Sequence, residues 1–114
     1  MSRRSVRRLL DDMLEATERM ERYVAGMDQP AFLADESTSD AVVRNLEILG
    51  EAAAHVPDEF RARTPEPEWP RIVGLRNRVV HGCFAVDLEL VWRIVIGDLP
   101  ALASRHRSLR DSLT

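Results

Sequence analysis

A chain of 114 residues, 45% hydrophobic and 31% charged with net charge −3, describes one soluble domain, able to bury a modest core alone and small enough that an oligomer would help it. Its single cysteine excludes an internal disulfide and a cysteine-rich zinc site, and aromatics at 5% leave too few stacking platforms for a single-strand-binding sheet or barrel. No apolar stretch approaches the roughly 18 residues of a membrane span, and the basic start, Met1 to Arg8, leads into an amphipathic run, so neither signal peptide nor membrane contact is expected and the location should be cytoplasmic.

The first helix is predicted from about Ser5 to Met27. Val6, Leu9, Leu10, Met13, Thr17, Met20, Val24 and Met27 make one stripe, with charged residues over the remaining surface, as in a core-facing helix. Residues Asp28 to Ser39 read as a loop in which Phe32 and Leu33 tack down a turn, and Ser37 or Ser39 caps the next helix. That second helix, about Asp40 to Val56, turns Val42, Leu46, Leu49, Ala53 and Val56 inward. Gly50, Ala53 and Ala54 would let another helix approach closely.

Pro57 ends that helix. An irregular connection stiffened by Pro65 and Pro67 runs to Pro70, with one turn expected around Asp58 to Arg63. From Trp69 the apolar positions Trp69, Ile72, Val73, Val79 and Val80 fall on one helix face, and Pro70 suits its first turn. Asp87 suits the N-cap of a last segment, Leu88 to Ile96, that is apolar almost all round and so calls for cover by a partner subunit. Pro100 should kink or restart the helix, and the tail with Arg105, His106, Arg107 and Arg110 is basic. No internal repeat or second domain is visible.

All 16 basic residues are arginines. Nine lie after residue 60 against six acids, whereas the first 60 residues hold seven arginines and 13 acids. The C-terminal half is therefore the basic half; the guanidinium fork suits phosphate, although genomic base content is the simpler cause of an all-arginine composition. Within that half, Arg76-Asn77-Arg78-Val79-Val80-His81-Gly82-Cys83-Phe84 sets an arginine among apolar helix positions, where it requires an anionic partner or a wet cleft. Glu47 or Glu51 could supply the partner; spacing alone equally allows both to be solvated. In an ideal helix Arg76 and His81 would be rotated by about 140° from one another while Asn77 and His81 would be neighbours. Gly82 is expected to end the helix and leave His81 at its frayed last turn. A histidine there reads either as a helix-end cap or as a proton-transfer group.

No glycine-rich phosphate loop, His-Glu-x-x-His or Cys-x-x-Cys is present, and His55, His81 and His106 are too scattered to predict a metal site. By default Trp69 and Trp92 are core or interface aromatics, Arg71 and Arg78 solvated charges, and His55 and His106 surface residues.

The Arg76-x4-His81 stretch resembles the Arg-x4-His-x-Tyr signature of the HEPN superfamily, specifically its HepT-like ribonuclease toxins. Arg44 to Ala52 upstream, Trp69, Val86-Asp87, Val91-Trp92 and Asp98-Leu99-Pro100 fit the same family in the same order, so the resemblance spans most of the chain. It implies a single HEPN domain over residues 1–114, an all-α up-and-down helical bundle that dimerises through its motif and C-terminal helices. It also implies a metal-independent endoribonuclease without cofactor, cutting RNA, tRNA among the candidates, at a composite cleft of the homodimer. Arg76 and His81 would be catalytic, with Asn77 and Arg78 as substrate contacts, and a minimal nucleotidyltransferase would be the cognate antitoxin. In that family the partner transfers AMP to the signature tyrosine, whose place Cys83 takes here. A variant controlled by tight binding, a member without toxicity and an introduced change are three readings of Cys83. The alternative function is a non-catalytic HEPN module that binds nucleotide or RNA, or the partner-binding subunit of a nucleotidyltransferase.

Overall fold

The computed structural model describes residues 2–64, 69–81 and 85–113, without the side chains at 3, 76, 79–81 and 85. The described chain is an all-α bundle of helices α1 (Arg3–Val24), α2 (Gln29–Ala34), α3 (Glu36–Ala54), α4 (Asp58–Arg63), α5 (Trp69–Val73), α6 (Leu75–Val79), α7 (Leu88–Arg93) and α8 (Leu99–Ser112). A π-helical turn, Ile94–Asp98, joins α7 to α8, and two-residue strands β1 (Val80–His81) and β2 (Ala85–Val86) pair antiparallel.

Helix α1 starts where Ser2 accepts a hydrogen bond from the Ser5 N–H at 3.1 Å, and it ends at Val24, three residues before the predicted end. Gly26, at φ 79, takes the left-handed conformation just past that end. The predicted stripe is the buried one: Val6, Leu10, Met13, Thr17, Met20 and Val24 are all buried. Buried Thr17 satisfies its hydroxyl by donating to the Met13 carbonyl at 2.9 Å. Helix α1 packs along α3 and α8. An Arg110–Asp11 contact of 3.7 Å sets the C-terminal end of α8 beside the N-terminal half of α1.

The region read as a loop contains α2. Asp28 caps it by accepting from the Ala31 N–H, Pro30 sits in its first turn, and Phe32 is completely buried against Trp92 with ring centroids 5.3 Å apart. Helix α3 then begins at Glu36 and is capped by Asp35, which accepts from the Thr38 N–H; that bond holds the Asp35 carboxyl below its ordinary range. Ser37 and Ser39, the expected caps, lie inside the helix, and Ser39 donates to the Glu36 carbonyl. Asp outcompeted Ser because it stood at the boundary that buries Ser39 and Val42.

The predicted turn over Asp58–Arg63 is α4. Arg61 donates at 2.6 Å to the Ala53 carbonyl at the end of α3, and Trp69 donates its indole N–H to the Thr64 carbonyl at 2.8 Å, so the connection is fastened at both ends. Gly50 is buried where α3 meets α5. A Cβ there would lie 3.3 Å from the Ile72 carbonyl oxygen and 3.4 Å from that of Val73, the close approach expected of this small-residue face.

The C-terminal segment departs from one apolar helix. Asp87 is its N-cap as predicted, accepting from the Leu90 N–H at 3.0 Å. Val91, Ile94, Val95 and Leu99 are buried in the core, Trp92 covers Phe32 within the same chain, and Ile96 is 51% exposed. Pro100 stands at the start of α8, where its missing N–H costs nothing, and the π turn joins that start to α7. His106 is not a surface residue. It is fully buried on α8, and neither ring nitrogen finds a partner among the described residues. Burial, and then the charge of Arg105, push its pKa down from 6.5 to about 4.

Candidate active site

The motif begins on α6, which follows α5 after a turn at Gly74 that is hydrogen-bonded to both helices. The Gly74 N–H donates to the Pro70 carbonyl at 3.0 Å and the Arg78 N–H to the Gly74 carbonyl at 3.1 Å. Trp69 and Ile72 of α5 and Leu75 of α6 are buried. The backbone of Arg76, Asn77 and Arg78 is therefore held on α6, which packs on α3 and α7.

His81 does not stand at a frayed helix end. The helix stops at Val79, and Val80 and His81 are extended, with Val80 opposite Val86 and His81 opposite Ala85. The β-branched pair Val79-Val80 favours that change of conformation. The angle expected of an unbroken helix therefore does not apply between positions 76 and 81, because the last two residues rise as a strand, about 3.3 Å each. Gly82, expected to do this work, lies outside the described residues together with Cys83 and Phe84.

Asn77 is exposed and Arg78 partly buried, with its Nη1 enclosed and unpartnered among the described residues. The side chains of Arg76 and His81, and with them the expected pairing of Arg76 with Glu47 or Glu51, lie outside the described part of the structure; both glutamates are exposed on α3. Among the described residues no three His, Cys, Asp or Glu side chains converge as a metal site would require, and no helix is long and apolar enough to cross a membrane.

Arg71 is exposed, as a solvated charge is expected to be, whereas Arg78 is partly buried. Arg71 on α5 meets Asp98 of the π turn at 3.3 Å, and Arg71, Arg78 and Arg105 line one cavity of about 210 Å³ between α5–α6 and the start of α8. Their separation of up to 34 residues in the chain hid this grouping; the excess of arginine after residue 60 was its only trace. By contrast, a groove of about 570 Å³ between α1 and α3 is lined by Asp12, Glu15 and Glu51 beside Arg19 and His55. Its excess of carboxylates repels a phosphate chain.

The profile of the family described as "Ribonuclease HepT-like" matches residues 13–109. The chain is similar to "Probable ribonuclease HepT" of Thermococcus cleftensis, 35% identical over 108 residues that cover 95% of this chain and 98% of that protein. It is also similar to "Putative RNase MJ1380" of Methanocaldococcus jannaschii, 36% identical over 102 residues covering 90% and 94%. No solved structure matches it.

Proposed function

Because the chain belongs to the HepT-like ribonuclease family, we propose that it is the toxin of a type VII-like toxin–antitoxin pair, an endoribonuclease that cuts RNA without metal at a site shared by two copies. The observation that supports this most is the Arg76-x4-His81 motif inside the matched region, carried across a helix-to-strand junction rather than within one helix.

RNA brings its own nucleophile, so the protein has to supply a base, an acid and a cation. In the proposed site His81 of one copy takes the proton of the ribose 2′-hydroxyl. The 2′-oxygen bonds to phosphorus, the bond to the 5′-oxygen breaks, and His81 of the other copy returns a proton to that oxygen. The products are a 2′,3′-cyclic phosphate and a 5′-hydroxyl. Arg76 neutralises the charge that grows on the phosphoryl oxygens, while Asn77 and Arg78 hold the strand. One motif supplies an incomplete set and two facing motifs a complete one, which is the reason for a homodimer built on the motif and C-terminal helices. A transfer RNA is the first substrate to test, and a minimal nucleotidyltransferase the partner.

Cys83, in the place of the family's tyrosine, favours a second reading: a non-catalytic module that binds nucleotide or RNA or holds a nucleotidyltransferase partner. A thiol lacks the reach of a phenol, so neutralisation by AMP transfer to that position is replaced on the toxin reading by tight binding of the antitoxin.

The experiment is cleavage of total tRNA and messenger RNA in EDTA by the purified protein, His81→Ala and Cys83→Tyr. On the toxin reading the parent cuts, and His81→Ala is slower by about 10²- to 10⁴-fold. If neither parent nor Cys83→Tyr cuts while both fold as dimers, the binding-module reading replaces it. Cleavage by Cys83→Tyr alone would identify Cys83 as the change that silences a toxin.

A further inference from the structure

We propose that Arg71, Arg78 and Arg105 form a phosphate pocket, distinct from the Arg76–His81 pair, that takes a backbone phosphate of the bound RNA strand; the identity of that strand rests on the ribonuclease reading. The three arginines come from α5, α6 and α8 and line one cavity of about 210 Å³. Its wall is apolar, made by Ile72, Leu75, Ile94 and Leu99, so a charge placed there interacts in surroundings less polar than water.

The charge balance of the pocket is cationic. Among the described residues Asp98 is the one carboxylate on its lining, and it meets Arg71 at 3.3 Å. With Arg71 engaged by Asp98, Arg78 and Arg105 leave the described lining with an excess of positive charge on a protein whose net charge is −3. Arg78 is the more telling member. Its Nη1 is buried without a partner among the described residues, and an unsatisfied guanidinium N–H costs more than a neutral one. An anion in the cavity would satisfy it. Guanidinium donors match phosphate oxygens two at a time, which a carboxylate-lined groove such as that between α1 and α3 cannot do.

The position suits a strand crossing the motif. Positions 76 and 78 lie about 3 Å apart along the axis of α6 but face about 200° apart, so a strand with one phosphate in this pocket and another at the motif would wrap around α6 within a few nucleotides. The Gly97 edge is open, since a Cβ there would meet nothing within 4 Å, and it belongs to the π turn, a distortion frequent at functional sites.

The test is salt-dependent binding of a 2′-O-methyl RNA oligonucleotide, which cannot be cut, to the full chain and to Arg105→Gln and Arg78→Gln, beside titration with inorganic phosphate followed by the arginine Nε–Hε signals. Each substitution should weaken the oligonucleotide by about tenfold, irrespective of its sequence, and reduce the slope of log affinity on log salt by about 0.7. Phosphate should shift the Arg78 and Arg105 signals of the parent. Arg105 is exposed, so Arg105→Gln remains folded, with an unchanged melting temperature, even if Arg78→Gln does not. A parent that cuts RNA while Arg105→Gln binds the oligonucleotide with the same affinity and slope overturns the pocket and leaves the ribonuclease reading standing. A parent that neither cuts nor binds RNA, yet loses its phosphate response in Arg105→Gln, overturns the ribonuclease reading and identifies the pocket as a site for a free phosphate. No phosphate response and no effect of either substitution on RNA binding overturn the pocket, and cleavage by the parent then decides the ribonuclease reading separately.

Discussion

Gly50 and Ile72 are the point at which the long helix α3 touches the backbone of the motif-bearing segment: a Cβ on Gly50 would stand 3.3 Å from the Ile72 carbonyl oxygen. Because the neighbour is backbone, it cannot swing aside. Gly50→Ala gains about 1 kcal/mol of helix propensity, which opposes the crowding, and should leave stability nearly unchanged. Gly50→Val has no such compensation and should destabilise the fold by roughly 1–3 kcal/mol, pushing α5 and α6 off α3. Chemical denaturation of the two variants checks the contrast; a Gly50→Val protein as stable as the parent would refute the close contact.

His106 should make stability depend on pH above the range of most carboxylates. Its folded pKa of about 4 lies below the ordinary 6.5, so between these values the unfolded chain holds a proton that the folded one lacks. Its contribution is complete above pH 6.5 and is lost as the pH falls toward 4. The loss is on the order of 3 kcal/mol at the bottom of that window. Unfolding midpoints in denaturant at pH 7.5, 6 and 5 measure it. His106→Leu, similar in size and free of orphaned ring nitrogens, should flatten the profile in that window and be no less stable than the parent at pH 6. An unchanged profile would mean that another group causes it.

The Asp87 cap should be worth about 1 kcal/mol, lost in Asp87→Ala and largely kept in Asp87→Asn, whose side-chain oxygen can still accept from the Leu90 N–H. Since β2 immediately precedes Asp87, hydrogen exchange should also quicken at Val86 in the alanine variant but not in the asparagine one.

The shared site makes a prediction about mixtures. If each cut needs His81 from both copies, an equal mixture of parent and His81→Ala, re-equilibrated and compared at the same total protein concentration, should show about one quarter of the activity of the parent alone, the fraction of dimers with two intact chains. A site complete within one chain would retain about one half. Activity measured across a series of mixing ratios separates the quadratic curve from the straight line.

The sequence was most informative where one physical effect acted alone. The α1 stripe, the Asp87 cap and the turn over Asp58–Arg63 follow from periodicity, capping and proline chemistry, and each stands where predicted. It was least informative where tertiary burial outweighed local preference. Phe32 organises a helix in a segment rich in loop formers because Trp92, sixty residues later, receives its ring. His106 looked like part of a basic tail, since its neighbours Arg105 and Arg107 are exposed while it alone turns inward. For the motif, the residue types pointed to phosphate chemistry and the family, but not to the change from helix to strand between Val79 and His81. The β-branched Val79-Val80 pair favours that change, but the strand also depends on pairing with Ala85 and Val86, and two β-branched residues in an apolar helical run do not reveal that partner.

The π turn also governs angular phase. A π turn accommodates one residue more than an α turn, so the residues of α8 are advanced by about 100° relative to an uninterrupted continuation of α7. With that offset, Leu102 and His106 point into the core and Arg105 lines the cavity of Arg71 and Arg78. Shortening the junction by one residue would keep every side chain of α8 and yet exchange its inner and outer faces in part, carrying Arg105 away from the other two arginines. One surplus residue between two helices thus sets which side chains the C-terminal helix can offer to its neighbours.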